Sequence, residues 1–331
     1  MILRHRLTLV RAAAVAGLLA VPGGLLTVVP DAGTATLRAA AEEQDTAQFS
    51  RAVRVGPNSS LTVSNLSGSI TVTGGRGQEI RIEAVKRVGH ETARGSQIED
   101  VGIDVAEHGD RVEVRTLYRG GTTHVSVDYT VTVPDDAAVY VRSVSGDVKV
   151  AQVQGDTRAE SVSGNVSVTG VTHLDKASSV SGDVSITNAA ADSDLSTGSV
   201  SGNVTIHGLK AQGLDLSSVS GDLELTGVAC GRITARTVSG AFTFEGPLAR
   251  NGRYEISSHS GDIRLRLTGN TGFELNASSF SGDINTDYPL TIHDTEGGNR
   301  RTRHAIHGTF GDASALLSIR TFSGDISLRR Q

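Results

Sequence analysis

The chain has 331 residues, a formal net charge of −5 and one cysteine, Cys230. So mild a charge gives no basis for a nucleic-acid partner, and a lone cysteine excludes an internal disulfide framework and Cys-based zinc sites. With 39 glycines, 37% hydrophobic residues, 4% aromatics and no tryptophan, the composition is that of a globular or fibrous β protein rather than a disordered one.

Residues 1–35 read as an export signal. Arg4, His5, Arg6 and Arg11 give a basic start, Ala12 to Val21 an apolar centre, and Gly33 and Ala35 small residues for cleavage. The rival reading is an uncleaved anchor, because the apolar zone approaches spanning length. Pro22, Gly23 and Gly24 interrupt that zone and favour cleavage, and the absence of a nearby cysteine excludes a lipoprotein. The expected location is secreted or extracytoplasmic and envelope-associated, with a membrane anchor only if the segment stays uncleaved. Residues 36–48, rich in Ala and Glu, form a linker. Residues 49–135 alternate in hydrophobicity with period two, as in Leu61/Val63, Ile80/Ile82 and Val112/Val114, which predicts strands. They lack the repeat that follows and are expected to cap it as a separate β layer.

From residue 136 one phrase organises the chain. Ser143-Val144-Ser145-Gly146-Asp147 is followed by Val148 and Val150, and variants return to Thr321–Asp325. From Gly146 to Gly282 the glycines are 18, 18, 20, 19, 19, 21 and 21 residues apart, and the next step, to Gly324, is 42. A fixed period near twenty marks a repeat architecture. After each glycine an apolar pair shares one strand face (Val166/Val168, Val184/Ile186, Val204/Ile206), and a second alternation precedes each phrase. One such unit cannot bury its apolar row alone, whereas stacked units build a continuous core. The fold class is therefore all-β: a parallel β-solenoid of about 20-residue coils over residues 136–331. Nine or ten coils spaced ~4.8 Å apart make a rod roughly 40–45 Å long. Glycine supplies positive φ at the turn, Ser143, Ser161, Ser179, Ser199 and Ser218 supply a small buried side chain, and the Asp/Asn column caps backbone amides. An insertion over 287–315 interrupts the last step.

The repeated S-x-S-G-D-[VIL]-x-[VIL], preceded by a β region ending in Thr132-Val133-Pro134, resembles the bacterial DUF4097 family, whose members are labelled candidate adhesins. The match runs from about Leu61 to Leu328. The resemblance implies a surface role and brings no catalytic motif to transfer.

Four features are candidates for chemistry. Stacked aspartates (Asp147, Asp183, Asp222, Asp262, Asp283, Asp325) suggest calcium, but neither the period-nine calcium repeat nor its glycine motif occurs, and Asn165, Asn203 and Ala241 interrupt the column. Turn capping is preferred, and no metal or cofactor is expected. His259 stands in a column of valines and phenylalanines and reads as a substitution that keeps bulk rather than a catalytic base. Cys230 has no base near it in sequence and reads as structural. The insertion carries Arg300, Arg301, Arg303 and His304, which read as an ordinary solvated loop or as a contact for an anionic ligand, the solvated loop being preferred. The function read from these features is an exported, non-enzymatic cell-envelope protein acting as an adhesin-like or scaffold/sensing β-solenoid. Its expected partner is an envelope polymer, an anionic lipid or another surface protein. The alternative is a β-helix enzyme acting on an anionic polysaccharide, which needs several closely spaced acidic and basic residues in one groove.

Overall fold

The computed structural model describes residues 46–88, 98–119, 124–293 and 304–331, so residues 1–35, expected from sequence to be an export signal, lie outside it. Apart from one 3-10 turn, Ile98–Asp100, every regular element described is a β-strand. The repeats stack in parallel as a β-solenoid. Each coil contributes one strand to a first face, bends at the Ser-Gly turn, and returns in a second face.

Register settles the count of coils. On the second face one line of partners runs Tyr129, Ile70, Val148, Val166, Val184, Val204, Leu223, Phe242, Ile263, Ile326 and Ile284. On the first face the matching line is Val114, Val63, Val141, Ala159, Ala177, Thr197, Leu216, Ala235, Ile256, Ile319 and Ala277. Every residue of both lines is buried except Ile284, which is partly covered at the rod's end. Eleven coils at ~4.8 Å make a rod about 50 Å long. Volume is balanced within a coil, as close packing requires: the Gly240 coil carries small Ala235 on the first face and Phe242 and Phe244 on the second. Thr197, the one polar member, donates its hydroxyl to the Ala177 carbonyl at 2.7 Å.

At both ends the spatial order departs from chain order. Residues 49–135 enter the stack itself: Arg111–Tyr118 and Val125–Pro134 form the outermost coil, and Ser60–Ser67 and Ile70–Gly75 form the next, beneath the Gly146 coil. Val101–His108 then covers the first face, and Glu79–Val88 with Thr46–Arg54 the second, all antiparallel. At the other end the last coil, Ala315–Ser323 with Ile326–Arg330, slides between the Gly261 and Gly282 coils. The strands Thr291–Ile292 and Ala305–Phe310 cover the terminal Phe273–Ser281 strand antiparallel. Antiparallel covers and a three-residue final edge, Ile284–Thr286, leave little open parallel strand for edge-to-edge aggregation.

Candidate interaction surface

The turn that joins the two faces is held by contacts between coils. A methyl group at Gly202 would stand 2.2 Å from the Gly182 carbonyl oxygen, and the same clash repeats at Gly164, Gly182 and Gly221. These four lie outside the positive-φ region, which Gly146, Gly240 and Gly324 occupy. Close stacking, rather than backbone conformation, is thus the column-wide reason for glycine. Ser161, Ser179 and Ser199 point inward and donate their hydroxyls to the glycine carbonyl of the preceding coil at 2.8–3.0 Å. In the Gly68 coil Asn65 takes that place and donates to the Val127 carbonyl at 2.8 Å.

The Asp/Asn column is a ladder along the rod. Asp147 Oδ1 accepts from the Asn165 N–H at 2.9 Å, Asn165 Oδ1 from Asp183, Asp183 Oδ1 from Asn203, Asn203 Oδ1 from Asp222, and Asp222 Oδ1 from Ala241. Ala241 offers no acceptor onward, and the ladder restarts from Asp262 through Asp325 to Asp283. The caps therefore reach the next coil's amide rather than their own turn. Among the described residues no three His, Cys, Asp or Glu side chains gather closely enough to hold a metal ion.

One file of side chains is left over. The residue between the two serines of each phrase points outward, because the serine before it points in. In spatial order the file runs Leu117, Leu66, Val144, Val162, Val180, Val200, Val219, Val238, His259, Phe322 and Phe280. All ten apolar members are exposed, Val180 to 43% and Phe280 to 71%. At the C-terminal end the rings stack nearly parallel, His259 on Phe322 at 5.0 Å and Phe322 on Phe280 at 4.7 Å. Isolated aromatic pairs prefer offset or edge-to-face packing; here the spacing of the strands imposes the ladder.

Beside this end of the file the first face is hollow. Arg236, Ser257 and Arg320 are register partners on three adjacent strands. The short Ser257 between two long side chains leaves a groove of about 290 Å³, also lined by Thr234, Glu255 and Ser318.

The DUF4097 family profile, described as Toastrack DUF4097, matches residues 58–329. The chain belongs to the Toastrack DUF4097 family. No curated protein matches the chain. Among solved structures, a candidate adhesin from Parabacteroides distasonis ATCC 8503 is similar at 14% identity over 87% of this chain and 98% of its own, with a TM-score of 0.44. A candidate adhesin from Bacteroides fragilis NCTC 9343 shares 12% identity over 85% and 96%, at 0.41. A protein from P. distasonis ATCC 8503, named as a candidate lipid-binding protein, shares 10% over 85% and 96%, at 0.43.

In this Toastrack rod the residues singled out from sequence take different places. Arg300, Arg301 and Arg303 lie outside the described residues. His304 caps the last turn: its Nδ1 lies 2.9 Å from the Gly282 carbonyl, where a further coil would place a serine. His307 Nε2 lies 3.2 Å from Glu274. Cys230 is buried, and that burial pushes its thiol up to about 11, so it is no nucleophile near neutral pH. His259 belongs to the outward file rather than to the core. The file itself was missed as a surface, although period-two alternation carried the signal: with Ser143 and Ser161 facing inward, Val144 and Val162 face water.

Proposed function

We propose that this chain is an exported, non-enzymatic cell-envelope protein, an adhesin-like β-solenoid scaffold that binds an extended envelope polymer along its outward file. The file is the observation that carries the reading. Singly exposed apolar residues need no explanation, but a continuous apolar line is a contact surface. This line is one residue wide and spans eleven coils. A globular partner calls for a broad patch with a buried centre, and a bilayer calls for a wide apolar face. A linear chain fits a line. Exposed serines, Ser145, Ser163, Ser181 and Ser201, run beside it at the same interval, so each of these coils offers one apolar contact and one hydroxyl. Sugar polymers present the same alternation of C–H and O–H groups. The basic start, apolar centre and small residues within 1–35 support export.

The reading is tested by replacing Val180, Val200 and Val219 together with Thr, which keeps shape and strand preference while removing the apolar line. Retention on purified envelope polysaccharide should fall at least tenfold with thermal unfolding little changed. Undiminished retention overturns the role of the file.

A further inference from the structure

We infer that the groove between Arg236 and Arg320 holds a carboxylate or phosphate group of that polymer, so that the ligand is an anionic chain. This deepens the reading above and rests on it.

Charge accounting on the two faces points to these two side chains. Most neighbouring arginines already have an acidic partner: Arg158 with Asp175 at 3.2 Å, Arg264 with Asp262 at 2.6 Å, Arg266 with Glu245 at 3.6 Å, and Arg232 with Asp194. Among the described residues Arg236 and Arg320 have none. The groove's one carboxylate, Glu255, faces Arg253 at 3.6 Å. The hollow therefore carries two uncommitted guanidinium groups with the Ser257 hydroxyl between them, and the row beside them holds Thr234, Glu255 and Ser318. Guanidinium groups match carboxylate and phosphate geometry with paired donors. One titratable carboxylate among arginines and hydroxyls makes a binding composition; hydrolysis by paired carboxylates would need a second.

Size and position set the ligand class. The volume is just below the range of about 300–1,000 Å³ typical of pockets that enclose a whole small molecule. It suits one charged group or one sugar unit of a chain that continues beyond it. Arg236 and Arg320 are two strand spacings apart, about 10 Å. Two residues further along the same three strands stand Val238, His259 and Phe322, about 7 Å from the arginine row. A polymer lying along the file thus turns its anionic substituents toward the first face. The opposite side of the file carries Asp183, Asp222, Asp262 and Asp325 and repels them. Because Phe322 is stacked between His259 and Phe280, the ligand meets its edge, which bears the positive part of the ring quadrupole.

The test uses the full chain with polygalacturonate, polyphosphate, dextran and phosphatidylglycerol vesicles. Wild type should bind polygalacturonate or polyphosphate, whichever anion the groove takes, and binding should weaken as salt screens the exposed charges. Arg236→Gln with Arg320→Gln should weaken it at least tenfold. Ser257→Leu, which fills the hollow without changing charge, should do likewise. Arg142→Gln removes an arginine from the same outward row about 24 Å away and should change binding less than twofold. Equal losses from Arg142→Gln, or none from the double variant, overturn the groove. Binding to the vesicles and to neither polyanion also overturns it. Binding to dextran that depends on Val180, Val200 and Val219 but not on the arginines leaves the polymer-binding reading standing and removes this one.

Discussion

Val184 and Val180 stand four residues apart in the same repeat, and the protein treats them oppositely. Val184 is 1% exposed within the stacked row of the second face, and Val180 is 43% exposed in the outward file. Their columns contain similar residues and continue through neighbouring coils. The inner column is required by the fold, since a coil that cannot bury its row does not stack. The outer column contributes little to burial and leaves an apolar line in water. Side-chain chemistry alone does not distinguish a core row from a contact row; position relative to the turn does, since Val180 follows inward Ser179 and the alternation restarts with Val184 inside after Ser181, Gly182 and Asp183.

Charge at the two positions breaks the comparison most sharply. Val184→Asp places a carboxylate among buried apolar neighbours and should cost about 4 kcal/mol or more, read by denaturant unfolding. Val180→Asp should change stability by only about 0.5 kcal/mol. Similar losses at both would mean that the outer file is covered in the folded protein. Gly202→Ala comes next. Its methyl would meet the Gly182 carbonyl oxygen at 2.2 Å and the carbonyl carbon at 2.5 Å, so the coils must separate locally, at about 3 kcal/mol. A neutral result would show that the turns are not held in close register. A smaller loss than at Gly202 is expected at Asp183, which accepts a single bond from the Asn203 N–H at 2.8 Å. Asp183→Ala should lower stability by about 1 kcal/mol. A chelator should leave the unfolding of the wild type unchanged, whereas a chelator-sensitive midpoint would return a metal to the aspartate ladder.

The features legible in sequence were those with a local cause. Alternation in Val166/Val168 and Val204/Ile206 places these pairs inside, and the twenty-residue glycine period matches the stacking of the coils. The inward serines followed from the tightness of the turn. Less legible was the part played by residues 49–135, because the Gly68 coil keeps only a loose copy of the phrase and the outermost coil keeps none. The aspartates read as turn caps, but their bonds cross to the next coil, a partner 18 to 20 residues away in most cases. The arginines of the insertion drew attention because they cluster in the chain. Arg236 and Arg320 did not, being 84 positions apart in numbering.

By itself, then, the sequence determined the coil: its two strands, its glycine turn, its buried rows and the parity that turns one column outward. All of these depend on spacings of a few residues, which alternation and backbone geometry translate directly into structure. Only the tertiary structure decided which coil lies on which. At the N-terminal end the chain fills the second place, goes out to the outermost coil and then passes over the second, and at the C-terminal end it visits the outermost coil and returns to fill the place beneath it, because an end coil needs antiparallel cover while the rows beneath must stay continuous. That reordering brings Phe322 between His259 and Phe280, and Arg320 across Ser257 from Arg236. The groove and the aromatic ladder are thus products of stacking order, which no local pattern in the chain encodes.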